Sequence, residues 1–162
     1  MDSVIDASLP FPEADLRDHP PRNARVMLGD LYFLARTIDK ARAKINGTLG
    51  EYKIGPGISM YLFEWLGIAE SDFEEAVRTL KTDEAIVAWV HERSDASQYD
   101  DINMKLSTRA IRDDEHFQSM LPAYPMLHEH PHLRNWFEIF DIDDQWIFDP
   151  KNRKHKPTGQ YD

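Results

Sequence analysis

There is no cysteine among the 162 residues. That removes disulfides, thiol nucleophiles and thiolate metal sites together, and predicts a reducing, cytoplasmic location. No apolar run approaches the roughly 20 residues that cross a bilayer, so no membrane-spanning helix is expected. The first sixteen residues, MDSVIDASLPFPEADL, carry neither Lys nor Arg and no apolar core, so no secretory leader is expected. Positive charge is scarce: 19 Lys and Arg face 29 Asp and Glu, a net −10. Phosphate contacts need cations, so nucleic acid is not an expected partner, and neither is a membrane. Several catalytic templates are missing. There is no GxxxxGK[ST] loop for nucleotide phosphates, no GxSxG nucleophile elbow, and no GxGxxG after a strand. No cofactor is expected.

What is present is ordinary for a folded chain: 41% hydrophobic and 11% aromatic residues. The periodicity is mostly helical. Leu31, Leu34, Ile38, Ala41 and Ile45 recur at steps of three and four, which predicts a first helix over 30–46, capped by Asp30 and stopped at Asn46-Gly47. The stretch 47–57 holds four glycines and a proline and reads as a loop, with a short extended piece at 51–54. Further helices are expected over 58–66, over 72–80 behind a Ser71-x-x-Glu74 capping box, and from Thr82 as a cap. A polar linker follows at 93–101. Helices over 101–111 and 113–121, a loop over 122–131, and a last helix from near Pro131 complete the pattern, with 144–149 as the main candidate strand.

The expected fold is all-α, a single-domain bundle of about six or seven short helices. An arm covers 1–14. The helical domain covers 15–150, with a nucleus at 15–92 and a C-terminal part at 95–150. A basic and polar tail at 151–162 is expected to fray. Charge does not divide the chain. Before and after Ser94, Lys and Arg number eleven and eight and the acids sixteen and thirteen, so each part sums to −5.

The segments DLRDHPPRNARVMLGDL, IDKARAKINGTLGEY, LFEWLGI, SDFEEAV and TDEAIVAWV resemble a bacterial domain-of-unknown-function family, the one numbered five-zero-six-nine. Asp15, Leu16, Arg17, Pro20, Pro21, Arg22, Leu28 and Gly29 match its opening. The run Ile38–Ala43 matches its IDKARA helix and Gly47–Tyr52 its GTLGEY loop. Asp30 stands where a second glycine is common, and KIGPGIS differs from the segment expected after Tyr52. The resemblance spans most of 15–92 and reaches 132–144 again. It implies an uncharacterised domain and no particular activity.

Three constellations bear on chemistry. Arg36, Lys40 and Lys44 lie at i, i+4 and i+8 and form one cationic stripe. From Arg17 to Lys53 there are eight cations and four acids, a local +4. One reading is a solvated face answered by acids of the third and fourth helices. The other is a small-anion pocket, for phosphate or carboxylate, built from Arg36, Asp39, Lys40, Glu51 and Tyr52 on the first helix and the GTLGEY loop. Glu51 is the candidate general base if the chain is an enzyme for a small polar substrate, with Arg36 as anchor. The histidines give the second constellation: His128, His130 and His132 formally fit H-E-x-x-H, but Pro131 inside the span prevents one helical face from holding both ends, so no metal site is expected. Third, DIDDQW at 141–146 lacks the glycine of a calcium loop. The leading expectation is a non-enzymatic, cytoplasmic binding or interaction module. The rivals are that enzyme, and a structural helical partner, a homodimer, joined through Trp146 and Phe148.

Overall fold

Leu31, Leu34, Ile38 and Ala41 are all inaccessible to solvent, so the face read from their spacing is the buried one. A computed structural model describes residues 8–54, 58–110, 126, 129–130 and 133–151. They form six α-helices: α1 (Leu34–Asn46), α2 (Ile58–Leu66), α3 (Glu70–Leu80), α4 (Asp83–Arg93), α5 (Tyr99–Thr108) and α6 (Trp136–Phe148), with one 3₁₀ turn at Ala96–Gln98. There is no strand among the described residues, only single bridges at Leu28–Leu31 and Ala110–Asn135. The fold is mostly helical, as expected. The predicted helix at 113–121 and most of the 122–131 loop fall outside the described residues, as do His128, His132 and the tail beyond 151.

The boundaries correct several expectations. Asp30 does not cap α1. Gly29 and Asp30 both take positive φ, 57° and 65°, and form a tight turn closed by two hydrogen bonds between the backbones of Leu28 and Leu31. Positive φ at both central residues is the signature of a two-residue hairpin turn. A Cβ on Gly29 would also stand 2.7 Å from the Val87 side chain, so only glycine fits there. Asn103 of α5 clamps this turn. It accepts from the Tyr32 amide and donates to the Asp30 carbonyl, both at 2.9 Å. Helix α1 therefore starts four residues later than its apolar rhythm suggests. It stops where expected: Gly47 is left-handed, with φ 76°.

Helix α3 begins at Glu70 behind Ala69, with no side-chain cap, so the Ser71 capping box is not used. Its Glu74 instead meets Lys44. Thr82 does cap α4, accepting from the Ala85 amide. The polar linker is a single tight turn, in which Asp95 accepts from the Ser97 amide and α5 follows at once. The candidate strand at 144–149 is the end of α6 with Asp149 as its C-cap. Ile139, Asp143 and Ile147 share one buried face at i, i+4 and i+8. A carboxylate in the middle of that stripe hides its period from a hydrophobicity reading.

Helix α6 lies against the start of α1. Phe33 stacks on Phe137 at 6.0 Å and meets Phe140 at 5.7 Å, and Trp136 stacks on Phe140 at 6.1 Å. Burying each such ring contributes about 1.5–3 kcal/mol. The N-terminal arm packs on the far end of α1. The Asn46 side chain accepts from the Phe11 amide and donates to the Phe11 carbonyl, while Thr48 donates to the Ala14 carbonyl at 2.6 Å. These bonds seat Phe11 against the core.

Candidate functional site

The cationic stripe does not share one environment. Arg36 is wholly buried. Its guanidinium makes a two-pronged pair with Asp144 of α6, NH1 to Oδ2 at 2.8 Å and NH2 to Oδ1 at 2.9 Å. Tyr52, from the loop after α1, donates its hydroxyl to the same Asp144 Oδ1 at 2.8 Å. The guanidinium carbon lies 5.2 Å from the Phe140 ring centre and 5.7 Å from that of Tyr52. Lys40 is also wholly buried, 6.0 Å from the Phe33 ring. Lys44 alone of the three reaches solvent, paired with Glu74. The acid that answers Arg36 comes from the last helix rather than from α3 or α4, and it belongs to the DIDDQW segment.

Asp39 faces the other way. Arg22 donates to it from its backbone amide at 2.8 Å, from Nε and from NH2, and reaches Asp83 at the start of α4 through NH1 at 2.8 Å. Arg42 completes the group, 3.1 Å from Asp83 and 4.0 Å from Asp39. Asp39 and Arg42 are thus an i, i+3 pair on α1. Burial works against ionisation of the Asp83 carboxyl, yet the Arg22 hydrogen bond and the charges of Arg22 and Arg42 hold it below the ordinary carboxylate range. Arg22 is likewise driven further toward its charged form, because bonds to Asp83 and Asp39 outweigh its burial.

Beside this group is a cleft of about 400 Å³, lined by Phe11 and Glu13 from the arm, by His19 from the segment after it, and by Arg22, Asp39, Arg42, Lys81 and Asp83 from the body. Arg42 NH2 donates to the Lys81 carbonyl at 2.6 Å, and the Phe11 ring sits 5.6 Å from the Arg42 guanidinium carbon and 5.7 Å from the Lys81 ammonium. Two donors here are not consumed. Arg42 Nε is buried without a hydrogen-bond partner, and among the described residues Lys81 has no carboxylate within ion-pair distance. Asp39 and Asp83 are taken up by Arg22 and Arg42.

Thus the predicted residues separate into two groups. Arg36 and Tyr52 meet on Asp144, inside. Asp39 belongs to the cleft. Glu51 joins neither. Its Oε2 is buried without a hydrogen-bond partner, and it lines neither this cleft nor the shallower one between Pro20, Arg25, Asp141 and Asp144. Trp146 and Phe148 are half-buried, Phe148 stacking on Tyr52 at 6.4 Å. Among the described residues no group of three His, Asp or Glu is placed to hold a metal, and no helix is long and apolar enough to cross a membrane. Sequence reasoning passed over Asp144, Lys81 and His19. The local signal for the cleft was Arg22 directly after Pro20-Pro21, where the prolines hold the chain extended.

A family model described as "Domain of unknown function (DUF5069)" matches residues 18–146, so the chain belongs to that family. No curated protein matches the chain.

Proposed function

We propose that this DUF5069 member is a cytoplasmic binding module that holds a small oxyanion, phosphate, sulfate or carboxylate, in the cleft between the N-terminal arm, α1 and the start of α4. One observation carries the reading: Arg42 Nε is buried with no partner in the wall of a cleft that also displays the Lys81 ammonium. A buried charged donor left unmade costs about 1–3 kcal/mol or more, and an anion supplies the acceptor. Arg36 and Tyr52 are less suited, because Asp144 already fills the place an anion would take. The cytoplasmic setting is supported by a chain of 162 residues without cysteine.

Isothermal titration and thermal unfolding with sulfate, phosphate and acetate test the reading. Binding is expected for the intact chain, with stabilisation growing to about 2.7 kcal/mol at a hundredfold excess over Kd. Arg42→Gln together with Lys81→Gln abolishes it. Absence of heat and of stabilisation with all three oxyanions at millimolar concentration overturns the reading.

A further inference from the structure

His19 stands in the wall of the cleft with Arg22, Arg42 and Lys81, and both of its ring nitrogens face backbone carbonyls. Nδ1 lies 2.9 Å from the Pro20 oxygen and Nε2 lies 2.9 Å from the Glu13 oxygen. A carbonyl oxygen accepts and never donates, and a neutral imidazole carries one N–H. One ring proton therefore satisfies one contact and leaves a nitrogen lone pair against an oxygen at the other. Only the imidazolium, with a proton on each nitrogen, donates to both.

The contact to Glu13 ties the arm two residues beyond Phe11, whose ring roofs the Arg42 and Lys81 heads. Protonation thus does two things at once. It fastens the roof, and it adds a third cation beside the two unconsumed donors. The other charged groups of the cleft and of the neighbouring segment are carboxylates, arginines and a lysine. Just after the arm, Asp15 is bound to Arg17, and this hydrogen bond holds its carboxyl below the ordinary range against the effect of burial. Glu13 and the neighbouring Asp18 are exposed carboxylates. On the body, Asp39 and Asp83 are bound by Arg22 and Arg42, and Lys81 is an ammonium. Imidazole is the side chain that ordinarily changes charge between roughly pH 5 and 8, and His19 is the one imidazole among the cleft residues.

We propose that His19, as an imidazolium, closes the arm over the oxyanion cleft, so that anion binding strengthens as the pH falls through the range in which imidazoles take up a proton. The inference rests on the oxyanion reading of the cleft and adds its regulation.

Sulfate is the probe, because it keeps the same charge across the range. The full chain is titrated with sulfate at about pH 5.5 and about pH 8, at constant ionic strength, and the ring nitrogens of His19 are followed by long-range proton–nitrogen spectra. The intact chain is expected to bind roughly threefold to tenfold more tightly at the lower pH, with both His19 nitrogens protonated there. His19→Gln, at an exposed position that leaves the core untouched, binds sulfate with the same affinity at both. Equal affinity of the intact chain at the two pH values, a neutral His19 ring at the lower one, or a pH dependence that survives in His19→Gln overturns the His19 proposal and leaves the oxyanion reading standing. No sulfate binding at either pH overturns the His19 proposal, and overturns the oxyanion reading with it when phosphate and acetate also fail to bind.

Discussion

On the inner face of α1, Arg36 is 0% exposed and its partner Asp144 is 12% exposed. On the outer face, Arg42 is 17% exposed and its partner Asp83 is 26% exposed. The same helix presents arginine to aspartate on both sides, and the two outcomes differ. Inside, one carboxylate receives both prongs of the guanidinium and the Tyr52 hydroxyl, in a wall of aromatic rings. Outside, two carboxylates are shared by two arginines with Lys81 beside them in the cleft, so donors are left over. A charge taken fully out of water must be matched by the chain itself, because desolvating it costs several kcal/mol. A charge at the rim tolerates a mismatch, because solvent or a ligand completes it. The inner pair is closed for that reason, and the outer group is where we propose a ligand.

The most severe way to break the comparison is Asp144→Ala. It strands a buried guanidinium and should cost about 3–5 kcal/mol in urea unfolding. The double variant Arg36→Met, Asp144→Leu removes both charges and should recover most of that loss. Asp83→Ala should cost less, roughly 1–3 kcal/mol, because its partners remain in contact with water. If the two aspartates prove equally costly, the inner and outer faces are not energetically distinct.

The outer group also gives an acid limb. The Asp83 carboxyl titrates below its ordinary value of 3.8. The stabilisation from that shift is therefore complete above this value and is lost as the pH falls through the folded-state value. Asp83→Asn should flatten the fall in melting temperature on acidification, while remaining less stable at neutral pH. Tyr52→Phe tests the inner pair more gently: loss of the hydroxyl to Asp144 should cost about 1 kcal/mol. The smallest effect is expected at Glu75 and Arg78, an exposed pair with side chains 61% and 52% accessible. Glu75→Ala should change stability by less than about 0.5 kcal/mol.

Much of the fold was legible. The three-and-four spacing from Leu31 to Ile45 located α1, Gly47 located its end, and Thr82 located the start of α4, because these signals act over one or two turns of chain. The start of α1 was not, because Asp30 has the chemistry of a cap but is held left-handed by Asn103, which lies 73 residues away. The last helix was mistaken in part for a strand, because buried Asp143 interrupts its apolar stripe. Of the candidate site, the basic helix and the Asp39–Arg42 spacing were visible. The separation of Arg36 from Arg42 into opposite environments was not, because only one of them meets α6.

The sequence by itself determined the helical character, most helix ends, the absence of thiol chemistry and the family. Each follows from local backbone preference, composition or a contiguous signature. Only the tertiary structure decided which cations are closed and which are open. Asp144 is 108 residues from Arg36 and Asp83 is 61 from Arg22, and a carboxylate neutralises a guanidinium by its distance in space and the water around it, neither of which is written in the spacing of one helix.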